Sequence, residues 1–98
     1  MGFRRGKKSL ADYIIEKLEK EDWYPDGDRY LIVYSFRGKY PNPSFYNNLN
    51  RLTGLLKIEK RFRNVIICRG RMSAKGVVEL IKRFGLDYEV YRLERVNL

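Results

Sequence analysis

Ninety-eight residues suffice for one hydrophobic core and are too few for two. Lys and Arg number 21 against 12 Asp and Glu, so the net charge is +9 without any histidine and the pI is near 9.8, a balance that points to a polyanionic partner. The missing imidazole removes the commonest general base and metal ligand, the single cysteine excludes an internal disulfide, and no apolar run reaches signal-peptide or membrane-spanning length.

Those exclusions leave a single-domain cytoplasmic protein with no membrane partner and no cofactor as the expectation. The lack of Gln and the 34% charged residues fit a heat-adapted source, against which the six asparagines count.

Residues 1 to 8 hold Arg4, Arg5, Lys7 and Lys8 with two glycines and no acid, and are expected to form a flexible cationic arm. From residue 9 to 98 the chain reads as one domain. Ser9 offers an N-cap with Asp12 three residues on, and Leu10, Tyr13, Ile14 and Leu18 recur at helical spacing, predicting an N-terminal helix over 9–22. After the turn residues of DWYPDGD, Arg29 to Phe36 has apolar residues on both faces, as in a central strand covered on both sides.

Asn42-Pro43 reads as an N-cap with proline at the first helical position; Phe45, Leu49 and Leu52 would face the core and Gly54 would close the helix. From Leu56 to Arg63 apolar and charged residues alternate, placing Leu56, Ile58 and Phe62 opposite Lys57, Glu59, Arg61 and Arg63. Val65 to Cys68 is a continuous apolar run. Residues 56–69 therefore form either a hairpin turning near Arg63-Asn64 or one bent strand. Ser73 would cap a third helix carrying Val77, Leu80, Ile81 and Phe84, with Gly85 at its C-terminus, and Tyr88 to Val96 would be the last strand.

Residues 29–98 thus run β, α, β, β, α, β, which predicts an α+β fold of the ferredoxin-like split βαβ type, with helices on one face of a four-stranded antiparallel sheet and an extra N-terminal helix. A competing arrangement makes residues 65 to 93 a parallel βαβ unit.

For function, the arm, Arg37 and Lys39, and the segment Lys57, Arg61, Arg63, Arg69 and Arg71 are the candidate phosphate contacts, Lys57, Arg61 and Arg63 projecting from one side of the hairpin. Tyr34, Phe36, Tyr40 and Tyr46 lie near Arg37 and Lys39; Phe36 and Phe45 are assigned to the core, and Tyr40 is the candidate for stacking on a base. Asp22, Asp26 and Asp28 can be read as ligands for a hard cation or as turn chemistry, the second being preferred. Cys68, inside an apolar run, is assigned to the core. The expectation is a non-catalytic DNA- or RNA-binding protein. The alternatives are a divergent metal-dependent nuclease and an adaptor for an acidic protein.

YLIVYSF followed by a helix, a hairpin ending in VIICRG, the helix SAKGVVELIKRF and the strand DYEVYRL resembles the small ferredoxin-like domains of the CRISPR-associated adaptation subunit and virulence-associated protein D type. That resemblance implies a homodimer formed through the sheets and a nuclease carboxylate after a tyrosine at the end of the first strand. The matching step here is Tyr34-Ser35, so the carboxylate is missing. RNA-recognition-motif domains share the strand order, but NVIICRG lacks the two stacking aromatics of their third strand.

Overall fold

A computed structural model describes residues 8–38 and 41–98, so the arm, except Lys8, lies outside the described residues. The elements are α1 (Leu10–Glu19), β1 (Arg29–Ser35), α2 (Pro43–Leu55), β2 (Ile58–Phe62), β3 (Val65–Arg69), α3 (Arg71–Arg83) and β4 (Asp87–Leu93). The fold is α+β, three helices packed on a four-stranded antiparallel sheet.

Local chemistry sets the boundaries. Ser9 and Asp12 form a reciprocal capping box, each accepting the other's backbone N–H at 3.1 Å. α1 stops at Glu19 and not at Asp22: the chain tightens there, the Glu21 N–H donating to the Leu18 carbonyl at 3.0 Å, and the Trp23 indole N–H folds back to the same carbonyl at 2.7 Å. Asn42 accepts the Ser44 N–H at 2.8 Å ahead of Pro43, as the sequence implies. α2 runs through Gly54 to Leu55.

The start of α3 differs from expectation. Gly70, at φ 85, precedes the helix, and Ser73 lies buried inside it, its hydroxyl accepting the Lys57 N–H at 2.8 Å. Its end is as expected: Gly85, at φ 65, donates to the Lys82 carbonyl and Leu86 to that of Ile81, a Schellman ending.

The strand order is β2-β3-β1-β4. β1 is antiparallel to both neighbours, pairing Arg29 with Arg69 and Val33 with Val65 on one side, and Arg29 with Leu93 and Ser35 with Asp87 on the other. Because β1 separates β3 from β4, residues 65–93 are not a unit of adjacent parallel strands. Residues 56–69 are the hairpin, turning at Arg63-Asn64 with Asn64 at φ 64.

All three helices lie on one face. Ile32 and Tyr34 of β1 and Ile66 and Cys68 of β3 are buried against Ala11, Ile14 and Leu18 of α1, Phe45, Leu49 and Leu52 of α2, and Val77, Leu80 and Ile81 of α3. Tyr13, expected on the packed stripe of α1, is exposed, and the Lys8 ammonium sits 5.8 Å from its ring centroid. β1 is covered on one side only, since Leu31 and Val33 are only half-buried on the other. None of the described helices is long and apolar enough to cross a membrane.

Candidate nucleic-acid interface

The sheet face away from the helices is the prominent open surface. Its centre is apolar: Leu31 and Val33 of β1 stand beside Val65 and Ile67 of β3. On the outer strands it carries two aromatic rings, Phe62 at 59% and Tyr91 at 48% exposure. Phe62 is there because of a bulge. The pairing of β2 with β3 shifts between Ile58 and Lys60, so Ile58, opposite Cys68, keeps the helix side while Lys60 and Phe62 fall on the open side. The expectation that Phe62 points to the core therefore fails, because one extra residue inverts the alternation beyond it.

The same bulge turns Arg61 over. Its guanidinium donates to Asn50 Oδ1 at 2.7 Å and lies 3.4 Å from Thr53 Oγ1, both on α2, so Arg61 is not on the side of Lys60 and Phe62. Tyr91 lies opposite Leu31 and Phe62 opposite Val65, which itself faces Val33. Three strand spacings and a two-residue offset separate the rings by about 16 Å. The Glu89 carboxylate beside Tyr91 on the same strand raises the phenol above its ordinary pKa.

Charge borders this surface. At the end where β1 begins, Arg29 and Arg69 are direct cross-strand partners, a like-charge pairing that is unfavourable unless bridged. Glu59, at the bulge, bridges it: its two carboxylate oxygens accept from Arg29 Nε at 2.6 Å and Arg69 Nε at 2.7 Å. The bonds from Arg69 and Arg29 hold the Glu59 carboxyl below its ordinary pKa. Arg71 and Lys57 lie at this end too, exposed, with no carboxylate within ion-pair distance among the described residues. Arg63 sits in the hairpin turn at the opposite end. Arg37 is also at that end and pairs with Asp87 at 2.7 Å.

The expected cations are thus distributed between two ends and an edge of the sheet. Lys8 pairs with Glu16 on α1, away from the sheet. Arg4, Arg5, Lys7, Lys39 and Tyr40 lie outside the described residues. Comparison with protein-family models, with curated proteins and with solved structures finds no match to this chain.

Of the aromatics near Arg37, Tyr34, Phe36 and Tyr46 join Phe45 in one cluster with centroids 5.4–6.0 Å apart, and Tyr34 and Phe36 are buried. They build the core. Desolvation raises the Tyr34 phenol pKa. Asp26 is a structural residue, because one oxygen accepts the Asp28 N–H at 3.0 Å and the other the Arg71 N–H at 3.1 Å, tying the turn to the start of α3. Among the described residues no group of three His, Cys, Asp or Glu is placed to hold a metal. Cys68 is buried, and desolvation, with a smaller contribution from Glu59, pushes its thiol up to about 12.

Arg29, Phe62 and Tyr91 escaped the sequence reading. The bulge hid Phe62, and Tyr91 belongs to a strand whose facing cannot be read until its partner is known.

Proposed function

We propose that this chain is a non-catalytic binding protein for single-stranded nucleic acid, with the open sheet face as its platform. The observation that carries the reading is Phe62 and Tyr91, both exposed, standing over an apolar sheet centre in a chain of net charge +9. Exposed rings offer stacking surfaces to unpaired bases, which a duplex would keep hidden. Phosphates would be met by Lys57, Lys60, Arg63, Arg69 and Arg71, with the cations of residues 1 to 8 adding attraction that is blind to sequence.

The strand order, with β3 and β4 flanking β1 and joined through α3, supports a ferredoxin-like split βαβ core to which α1 is an addition. Ser35 stands where the resembling CRISPR-associated group has its carboxylate; its hydroxyl accepts the Arg37 N–H at 3.1 Å, which favours a binding role over phosphodiester cleavage.

The test is fluorescence anisotropy with labelled single-stranded DNA and RNA at several salt concentrations. Log affinity should fall with log salt by about 0.7 for each phosphate contacted. Phe62→Ala and Tyr91→Ala should each weaken binding by about 1–3 kcal/mol, the contribution of one stacked base. Absence of binding to either strand at low salt would refute the reading. A second copy of the chain would cover the same face, so sedimentation with and without oligonucleotide distinguishes a displaced homodimer from a monomer.

A further inference from the structure

A cleft of about 760 Å³ opens where β1 begins and β3 and β4 end, and four arginines line it: Arg29, Arg69, Arg92 and Arg95. Two of them are already fixed. Glu59 holds Arg29 and Arg69 through their Nε atoms at 2.6 and 2.7 Å, one carboxylate for two guanidiniums, so this pair keeps an excess positive charge and has lost much of its rotamer freedom. Arg92 and Arg95 have no carboxylate within ion-pair distance among the described residues, although Asp28 and Glu94 also line the cleft. Four guanidiniums share this space with one bridging carboxylate, Glu59, and with Asp28 and Glu94 in the lining, so positive charge is in excess and a further anion between them would ease the remaining repulsion.

We infer that this cleft is a site for a phosphate monoester, the terminal phosphate of a strand lying on the open face; the inference rests on the binding function proposed above. A monoester suits it better than an internal diester in two ways. It carries about −1.5 to −2 charge at neutral pH, and it presents three free oxygens to planar guanidinium forks, whereas a diester carries one charge. The cleft also lies at the limit of the sheet, where a strand crossing the face would end.

The experiment compares oligonucleotides of one sequence carrying a 5′-phosphate, a 3′-phosphate or hydroxyls only, using the full chain. One phosphorylated form should bind about tenfold or more tighter than the hydroxyl form, in line with charge-assisted hydrogen bonds. Arg92→Ala with Arg95→Ala should abolish that preference and still bind the hydroxyl form, which shows that the variant folds. Lys82→Ala with Arg83→Ala removes the same charge from the far end of α3 and should keep the preference. Displacement of the phosphorylated strand by a nucleoside monophosphate would assign the monoester site to free nucleotides as well; no displacement would assign it to strand ends. Equal affinity for all three oligonucleotides, or a preference surviving in the Arg92/Arg95 variant, overturns this inference and leaves the binding function standing. Failure of all three to bind refutes the binding function itself.

Discussion

Asn48 is a buried polar side chain, only 8% exposed, and it joins two helices. Its Oδ1 accepts the Ala11 N–H at 2.9 Å, a donor in the first turn of α1 that has no intrahelical acceptor, and its Nδ2 donates to the Ser44 carbonyl at 2.8 Å within α2. Ala11 is fully buried, so in Asn48→Ala no water reaches its N–H without opening the contact between α1 and α2. An unsatisfied buried donor costs about 1–3 kcal/mol, and the space left by the lost amide adds to it. We therefore expect a loss of about 2–3 kcal/mol, which for a domain near 100 residues lowers Tm by roughly 10–20 °C. Urea unfolding followed by circular dichroism measures it, with Asn47→Ala, exposed on the same helix, as a control that should stay within about 0.5 kcal/mol. Hydrogen exchange should show the Ala11 amide losing protection in the variant. A cost for Asn48→Ala no larger than the control's would mean that the two helices are not joined through this side chain.

The same packing logic applies at Gly76 of α3, where an added Cβ would lie 2.6 Å from Leu56 Cδ1 and 3.0 Å from Leu18 Cδ1. Gly76→Ala gains up to about 1 kcal/mol of helix propensity but meets overpacking of about 1–3 kcal/mol, so a net loss near 1 kcal/mol is expected as a lower urea midpoint. A rise in the midpoint would show that the leucines yield freely. Cys68, its thiol pushed up to about 12 by burial, is almost wholly protonated at pH 8 in the folded protein. Its reaction with an aromatic disulfide should therefore proceed only through unfolding, accelerating with urea; reaction within seconds in native buffer would contradict its burial.

Where a residue's role depends on its immediate neighbours, the sequence was legible. The capping box at Ser9 and Asp12, the Asn42-Pro43 helix start and the Gly85 ending all appear where short-range chemistry places them. Ile66 and Cys68 of the apolar run at 65–68 and the helical stripe of Val77, Leu80 and Ile81 lie in the core on the same terms, while Val65 and Ile67 of that run stand on the open face. What failed depended on distant partners. Strict alternation put Phe62 in the core and Arg61 on the solvent side, because a bulge becomes visible only against the partner strand β3. Gly70, not Ser73, precedes α3, since Ser73 is needed to accept the Lys57 N–H from the approach to β2. The arginine cleft is the extreme case. Arg29, Arg69, Arg92 and Arg95 are up to 66 positions apart in the chain and meet only through the pairing of β1 with both β3 and β4.

Backbone amide shifts of the isotopically labelled protein, titrated with an unlabelled single-stranded oligonucleotide, test the open face most directly. Saturable changes should map to Leu31, Val33, Phe62, Ile67 and Tyr91, with amides of the helix layer such as Leu49 and Val77 unmoved. Changes confined to the helix layer, or a strand that leaves the sheet amides unmoved while it binds, would contradict the assignment of this face as the nucleic-acid platform.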